Sequence, residues 1–182
     1  MMLASVFAAS PSRMMRMSFV VEQYETLAAD EEVLFLLGTA YVKLRQKLDI
    51  PILATEYPAG DIGTYAVWLT ERATDYLRGD VAVKGGISAL VKAAHLAEGF
   101  HMNFEIHHGG NSLNNVANLH VAMAIKNCEF FEVLLPAEAQ KYGLVADIEV
   151  DSHGMVRAPT APGLGAQIDF DLIERKKVAV LS

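Results

Sequence analysis

The stretch Asp75–Ser88, DYLRGDVAVKGGIS, decides the fold. Its first half is a short apolar run that closes on an acid, Asp80, and reads as a β-strand. Gly85-Gly86 then marks a tight turn. From Ile87 to Phe100 the apolar residues Leu90, Val91, Ala94 and Ala97 recur at helical spacing. Strand, turn and helix make one βα unit, and the same unit recurs on either side. Upstream, IPILATE (50–56) ends on Glu56, and a helical run from Ile62 to Ala73 follows with Asp61 placed to cap it. Downstream, HMNFEIH (101–107) ends on His107. Ser112 is placed to cap the next helix, through Leu113, Val116, Leu119 and Met123. The run Glu129–Leu135, EFFEVLL, is one more strand, ended by Pro136.

Glu56, Asp80, His107 and Glu132 are therefore separated by 24, 27 and 25 residues. A βα unit of a parallel barrel takes about 25 to 30 residues, and polar residues at the C-terminal ends of such strands share one mouth. The fold class is thus α/β, with these strands in a parallel (β/α) TIM-type barrel. A whole barrel needs at least about 200 residues. This chain has 182, so the barrel is expected to be partial.

Composition sets outer limits. The chain is 52% hydrophobic and 20% charged, enough for a real core. A net charge of −7 leaves no basic surface for phosphate backbones, so nucleic acid is not an expected partner. Cys128 is the only cysteine and cannot pair within the chain, which fits a reducing, cytoplasmic setting. The start, MMLASVFAAS, has no positive charge before its apolar run and no span of about 20 apolar residues, so neither a secretory signal nor a membrane anchor is expected. Residues 1 to about 30 carry no clean period, and residues 1–40 form an atypical N-terminal segment, expected to be poorly ordered. Within it Leu34–Leu37 is strand or buried helix. Tyr41–Leu48 is an amphipathic helix with Val42 and either Leu44 or Leu48 inward. Residues 41–136 hold the barrel units. Residues 137–182 leave the rhythm, with a turn at Ser152-His153-Gly154 and a short acidic helix from about Asp169 or Asp171.

The ladder residues allow specific chemistry. A carboxylate on one ring nitrogen of His107 would fix its tautomer and make the other nitrogen a better base. A structural His–Asp pair fits the same spacing. Glu56, alone at the end of an apolar strand, needs a partner or a metal, and Mg²⁺ takes such oxygen ligands. One carboxylate is too few. Asp30, with Glu31 and Glu32, lies one interval earlier and could add a ligand, although a solvated helix start is the reading preferred. Glu132 could serve an oxyanion if protonated, orient a substrate oxygen, or pair with a cation. Gly85-Gly86 could present amides to a phosphate, though a tight turn accounts for it, and Lys84 beside it is expected to be solvated. Glu105 lies on the same side of its strand as His107 and should point into the barrel, where it needs a partner. Cys128 reads as a small buried residue.

These residues carry a resemblance. DYLRGDVAVKGGIS is similar to the sixth-strand motif of the enolase superfamily, more narrowly the mandelate racemase and muconate lactonising enzyme group. Asp80 stands at the position that is Asp in the racemase-like subgroup, where it pairs with a seventh-strand histidine, and His107 falls there. LRQKLDIPILATE resembles the run into the fifth strand, whose glutamate ligates Mg²⁺, which implies Glu56 as metal ligand. Glu132 matches the eighth-strand glutamate that stabilises an enolate. APTAPGLGAQIDFDLI (158–173) resembles the family's C-terminal return. HHGGN (107–111) resembles dehydratases of acid sugars.

The resemblance covers about residues 40–182. It implies the C-terminal half of a (β/α)7β barrel that removes the proton α to a carboxylate with Mg²⁺ as cofactor, acting as an acid-sugar dehydratase or racemase. His107 would be base or acid and Asp80 its orienter. The family's capping domain, first barrel strands, third-strand metal ligand and second-strand lysine motif have no counterpart here. Its fourth-strand Glu-Glu-Pro motif is only hinted at by Asp30-Glu31-Glu32. A half-barrel exposes strand edges, so a homo-oligomer or association with a missing half is expected. Two alternatives stand beside the enzyme: a catalytically silent half-barrel acting only in association, and a half-barrel binding a phosphorylated ligand at Gly85-Gly86.

Overall fold

A computed structural model describes residues 6–9, 31–56, 60–109, 111–134, 136 and 141–179. The elements run β1 (Val6–Ala9), α1 (Glu31–Lys47), β2 (Leu53–Ala54), α2 (Ile62–Thr70), β3 (Tyr76–Gly79), α3 (Ile87–Gly99), β4 (Asn103–Ile106), α4 (Ser112–Ala124), β5 (Phe130–Val133) and α5 (Phe170–Lys176). From β2 to β5 strands and helices alternate, as the ladder requires.

Strands β2, β3 and β4 form a parallel sheet in that order, with Leu53 opposite Tyr76 and Leu77 opposite Phe104. Each crossover is a helix laid on one face, the arrangement that parallel sheets need. The core lies between this sheet and α2 and α3. Trp68, Leu69, Leu77, Leu90, Ala94, Ala97 and Phe104 are its buried centre, and Tyr65 packs against Phe104 with ring centroids 5.5 Å apart. Gly79 is there because nothing larger fits. A Cβ on it would stand 2.6 Å from Leu90 Cδ1 and 2.9 Å from both Phe104 Cζ and the Tyr65 hydroxyl.

Three local expectations are corrected and one is met. Leu34–Leu37 and Tyr41–Leu48 fall in one helix, α1, which ends at Lys47 and leaves Leu48 exposed while Val42 and Leu44 pack on the core. Glu31 and Glu32 open that helix and end no strand, so the preferred reading of the acidic run, a helix start, is the one seen; Asp30 lies outside the described residues. The cap of α4 is Asn111, whose side chain accepts from the Asn114 amide. Ser112 instead donates its hydroxyl to Asp147 and accepts from the Tyr142 amide, tying the helix start to the tail. Lys84 is buried, its ammonium 5.6 Å from the centre of the Tyr65 ring.

The last strand departs most. β5 was expected to extend the parallel barrel, but among the described residues its ladder partner is β1, antiparallel, with Val6 opposite Val133. Its segment is tied to β4 by the Glu105 side chain and by one backbone bond. The Glu105 carboxylate accepts from the Glu129 amide at 3.1 Å and the Phe130 amide at 3.0 Å, and the Phe104 amide reaches Asn127 O at 2.7 Å. Those amides are the partner Glu105 needed. The tail crosses outside the sheet. His120 Nε2 donates to Leu164 O, Val150 bridges Val156 across the Gly154 turn, and Asp169 caps α5.

Candidate active site

Strand direction places the site. The C-terminal ends of β2, β3 and β4 lie side by side, and the next residues along each strand are Thr55-Glu56, Asp80 and His107. β5 adds Glu132. All four ladder residues meet there, as their spacing implied.

His107 is the hub. Its Nδ1 donates to Asp80 Oδ2 at 2.8 Å, and its Nε2 stands 3.3 Å from Glu56 Oε1 and 3.9 Å from Glu132 Oε2. The ring is the most accessible of the four side chains: 18% exposed, against 7% for Glu56, 3% for Asp80 and 1% for Glu132. Gly109 lets it sit there, for a Cβ at that position would be 2.8 Å from His107 Nε2. Burial pushes the imidazole pKa down, but the Asp80 hydrogen bond and the charges of Glu56 and Glu132 outweigh it despite Arg78, so the ring holds its proton above the usual range.

Asp80 is gripped from α4. Asn114 Nδ2 lies 3.0 and 2.9 Å from its two oxygens, Asn118 Nδ2 donates at 3.1 Å, and the Ala82 amide donates at 2.7 Å. Burial alone would raise this carboxyl. Bonds from His107, Asn114 and Ala82 win, and it stays below the ordinary carboxylate range, ionised and aimed at the ring. Asn114 and Asn118 are one helical turn apart on α4, so both reach the same acid.

Arg78 completes the mouth. It lies two residues before Asp80 on β3 and faces the same way. Its guanidinium pairs with Glu132 and stands 3.3 Å from Glu56 Oε2. Glu132 also accepts from the His108 amide at 3.0 Å. Thr55 holds the approach of Glu56 with φ of 87°, a left-handed conformation costly for a β-branched residue. Bonds between its hydroxyl and the Arg78 backbone, at 2.9 and 3.0 Å, restrain it there.

Strand alternation could have singled out Arg78, and the i, i+4 pair Asn114/Asn118 was visible as spacing. Neither draws attention without a fold to aim it. His108 points the other way. It is buried against Phe131, its Nδ1 donates to Ile106 O, and burial drops its pKa to about 4. Burial likewise pushes the Cys128 thiol up to about 12, so it is no nucleophile. At the Gly85-Gly86 turn, the Gly86 amide donates to Val81 O and the Lys84 amide to Asp80 O, the bonds of a tight turn.

The implied Mg²⁺ site can be tested on the donor set. Glu56 supplies one carboxylate, and both its oxygens face cationic or protonated partners, Arg78 and His107, each at 3.3 Å. Among the described residues no group of three or more His, Cys, Asp or Glu side chains is placed to hold a metal ion. The described residues do not fit Mg²⁺ in the arrangement seen.

A parallel βα sheet with a carboxylate–imidazole pair and two further carboxylates at its C-terminal edge is the layout of a (β/α) barrel acid–base site. The chain belongs to the enolase C-terminal domain-like family, whose model matches residues 8–172 and so begins well before the motifs quoted above. It is 29% identical over 141 residues to the arabinonate dehydratase of Saccharolobus solfataricus, covering 74% of this chain and 36% of that protein. Among solved structures, a protein of the mandelate racemase/muconate lactonizing enzyme type from Pseudovibrio sp. matches with a TM-score of 0.73 and 33% identity, over 78% of this chain and 38% of the other. D-glucarate dehydratase from Agrobacterium tumefaciens, solved with magnesium, matches with a TM-score of 0.67 and 37% identity, over 82% of this chain and 38% of the other. The chain thus spans well under half the length of these relatives. Among the described residues no helix is long and apolar enough to cross a membrane.

Proposed function

We propose that the chain carries the acid–base portion of an enolase-type site that acts on the carbon α to the carboxylate of an acid sugar, in a dehydratase or racemase. The observation that carries this is the 2.8 Å bond from His107 Nδ1 to an ionised, four-times-held Asp80, with the ring the most accessible member of the group.

His107 does the proton work at Nε2. As imidazolium it delivers a proton there, to carbon in racemisation or to a departing hydroxyl in dehydration. As neutral imidazole it takes the α-proton at the same atom. Asp80 keeps Nδ1 protonated throughout, so only Nε2 changes state. Glu56 and Glu132, paired to Arg78, set the field that favours the imidazolium. No step is assigned to Mg²⁺, since the described donors do not compose its site. The acid-sugar substrate is supported by the dehydratase relatives, and association with a second copy or a complementary half by β2, an edge of the parallel sheet among the described residues.

The test is α-proton exchange. The purified chain is incubated in heavy water with a panel of aldonic and aldaric acids, with and without Mg²⁺, and α-deuterium is read by NMR. Exchange that His107→Asn abolishes supports the reading, and exchange that survives that change refutes the dyad. No exchange on any substrate refutes activity for this chain. It would favour the second reading, a catalytically silent half-barrel, which the neutralisation of Glu56 and Glu132 by Arg78 supports.

A further inference from the structure

The family's chemistry implies a divalent cation at Glu56, yet this chain puts a cation of its own there. The Arg78 side chain is only 5% exposed and reaches across from β3 to two acids on other strands: Glu56, beyond β2, and Glu132, on β5. Its Nε faces Glu56 Oε2 at 3.3 Å without forming an aligned hydrogen bond, so that contact is one of charge rather than of donor and acceptor. Glu132 takes the terminal nitrogen directly. A guanidinium does not lose its proton in a protein, and its flat fork spans two carboxylates where a lysine would meet one. The buried acids Glu56 and Glu132 therefore have a permanent counter-charge supplied by the chain itself. A doubly charged ion at Glu56 would face that guanidinium across a few ångströms of poorly hydrated space, where like charges repel strongly.

We propose that Arg78 takes the place of a divalent cation at this mouth, so that Glu56 and Glu132 are held by the guanidinium and the chain binds no divalent metal through Glu56 while Arg78 is present. This does not rest on the exchange reaction, because the charge balance holds whether or not a proton is moved.

Mn²⁺ binding tests it, read by electron paramagnetic resonance of the free ion and needing no activity. Four proteins are compared: the unsubstituted chain, Glu56→Gln, Arg78→Gln and Arg78→Gln with Glu56→Gln. The expected result is that the first two titrate alike. Arg78→Gln should bind Mn²⁺ at least about tenfold more tightly than the unsubstituted chain, from removal of one facing charge, and Glu56→Gln in that background should reverse the gain. A site in the unsubstituted chain that Glu56→Gln removes would overturn the proposal. So would an Arg78→Gln protein with native circular dichroism and no gain. If Arg78→Gln does not fold, Arg78→Met takes its place, and no gain in a natively folded Arg78→Met protein overturns the proposal, as does Glu56-dependent binding in the unsubstituted chain.

Discussion

Gly109→Ala is the sharpest perturbation of this site, because it moves one ring and little else. The new Cβ would lie 2.6 Å from His107 Cε1, 2.8 Å from its Nε2 and 3.1 Å from Leu134 Cδ1, against 3.4–4 Å for ordinary contact. Gly109 is not in the left-handed region, so alanine strains no backbone angle. The imidazole must therefore yield by about 1 Å, the gap between those distances and normal packing. Its Nδ1 is pinned to Asp80 at 2.8 Å, and a shift of that size stretches the bond past useful length. Loss of that bond removes the largest influence raising the His107 pKa, so the pKa should fall. A misplacement of about 1 Å at a reacting group can cost roughly a hundredfold in rate. The assay is α-deuterium exchange together with NMR titration of the His107 ring, with urea unfolding as the control. The expected outcome is exchange slowed about a hundredfold, a lowered imidazole pKa and a stability change under about 1.5 kcal/mol. Unchanged exchange and an unchanged pKa would refute the placement of the ring against Gly109.

Two further outcomes concern the frame. Gly79→Ala pushes a methyl into Leu90, Phe104 and Tyr65 and should destabilise by about 1–3 kcal/mol in urea unfolding; a neutral effect would contradict the packing of β3 on α3. Glu105 is raised from 4.5, chiefly by burial, against the opposing bonds from Phe130 and Glu129. A carboxyl raised in the folded state contributes stability below its unfolded pKa and loses it as pH rises through the folded value. The unsubstituted chain should therefore lose part of its stability as pH climbs above 4.5, and Glu105→Gln should lack that component, read as a flatter urea midpoint against pH. Parallel curves would show that Glu105 does not carry the dependence.

What was legible in the sequence follows the physics of each element. The strand–turn–helix of Asp75–Ser88 was readable because Gly85 and Gly86, with φ of 83° and 99°, do what glycine alone does cheaply, and because α3 keeps one apolar face. The convergence of Glu56, Asp80, His107 and Glu132 was readable because parallel strands repeat at fixed length. Glu105 could be placed inward by alternation. Asn103, two residues earlier on the same face, is one partner that alternation could have named, but the backbone amides of Glu129 and Phe130 are announced by no side-chain pattern. The antiparallel pairing of β5 with β1 joins residues 6–9 to 130–133, and no local period encodes a contact of that range. Arg78 was overlooked because a cation on a strand reads as solvated until a fold buries it between two acids. Lys84 misled in the same way, as its long stem lets the ammonium settle over Tyr65.

Proton transfer at His107 depends on Asp80 holding its Nδ1. Asp80→Asn keeps the size and one acceptor oxygen while removing the charge that fixes Nδ1–H and favours the imidazolium. The rate of α-deuterium exchange on whichever acid sugar the unsubstituted chain labels, compared with Asp80→Asn under the same conditions, measures that role directly. A fall of roughly a hundredfold to ten-thousandfold, in the range of general acid–base catalysis, is expected. An Asp80→Asn protein that folds and exchanges at the original rate would contradict that role.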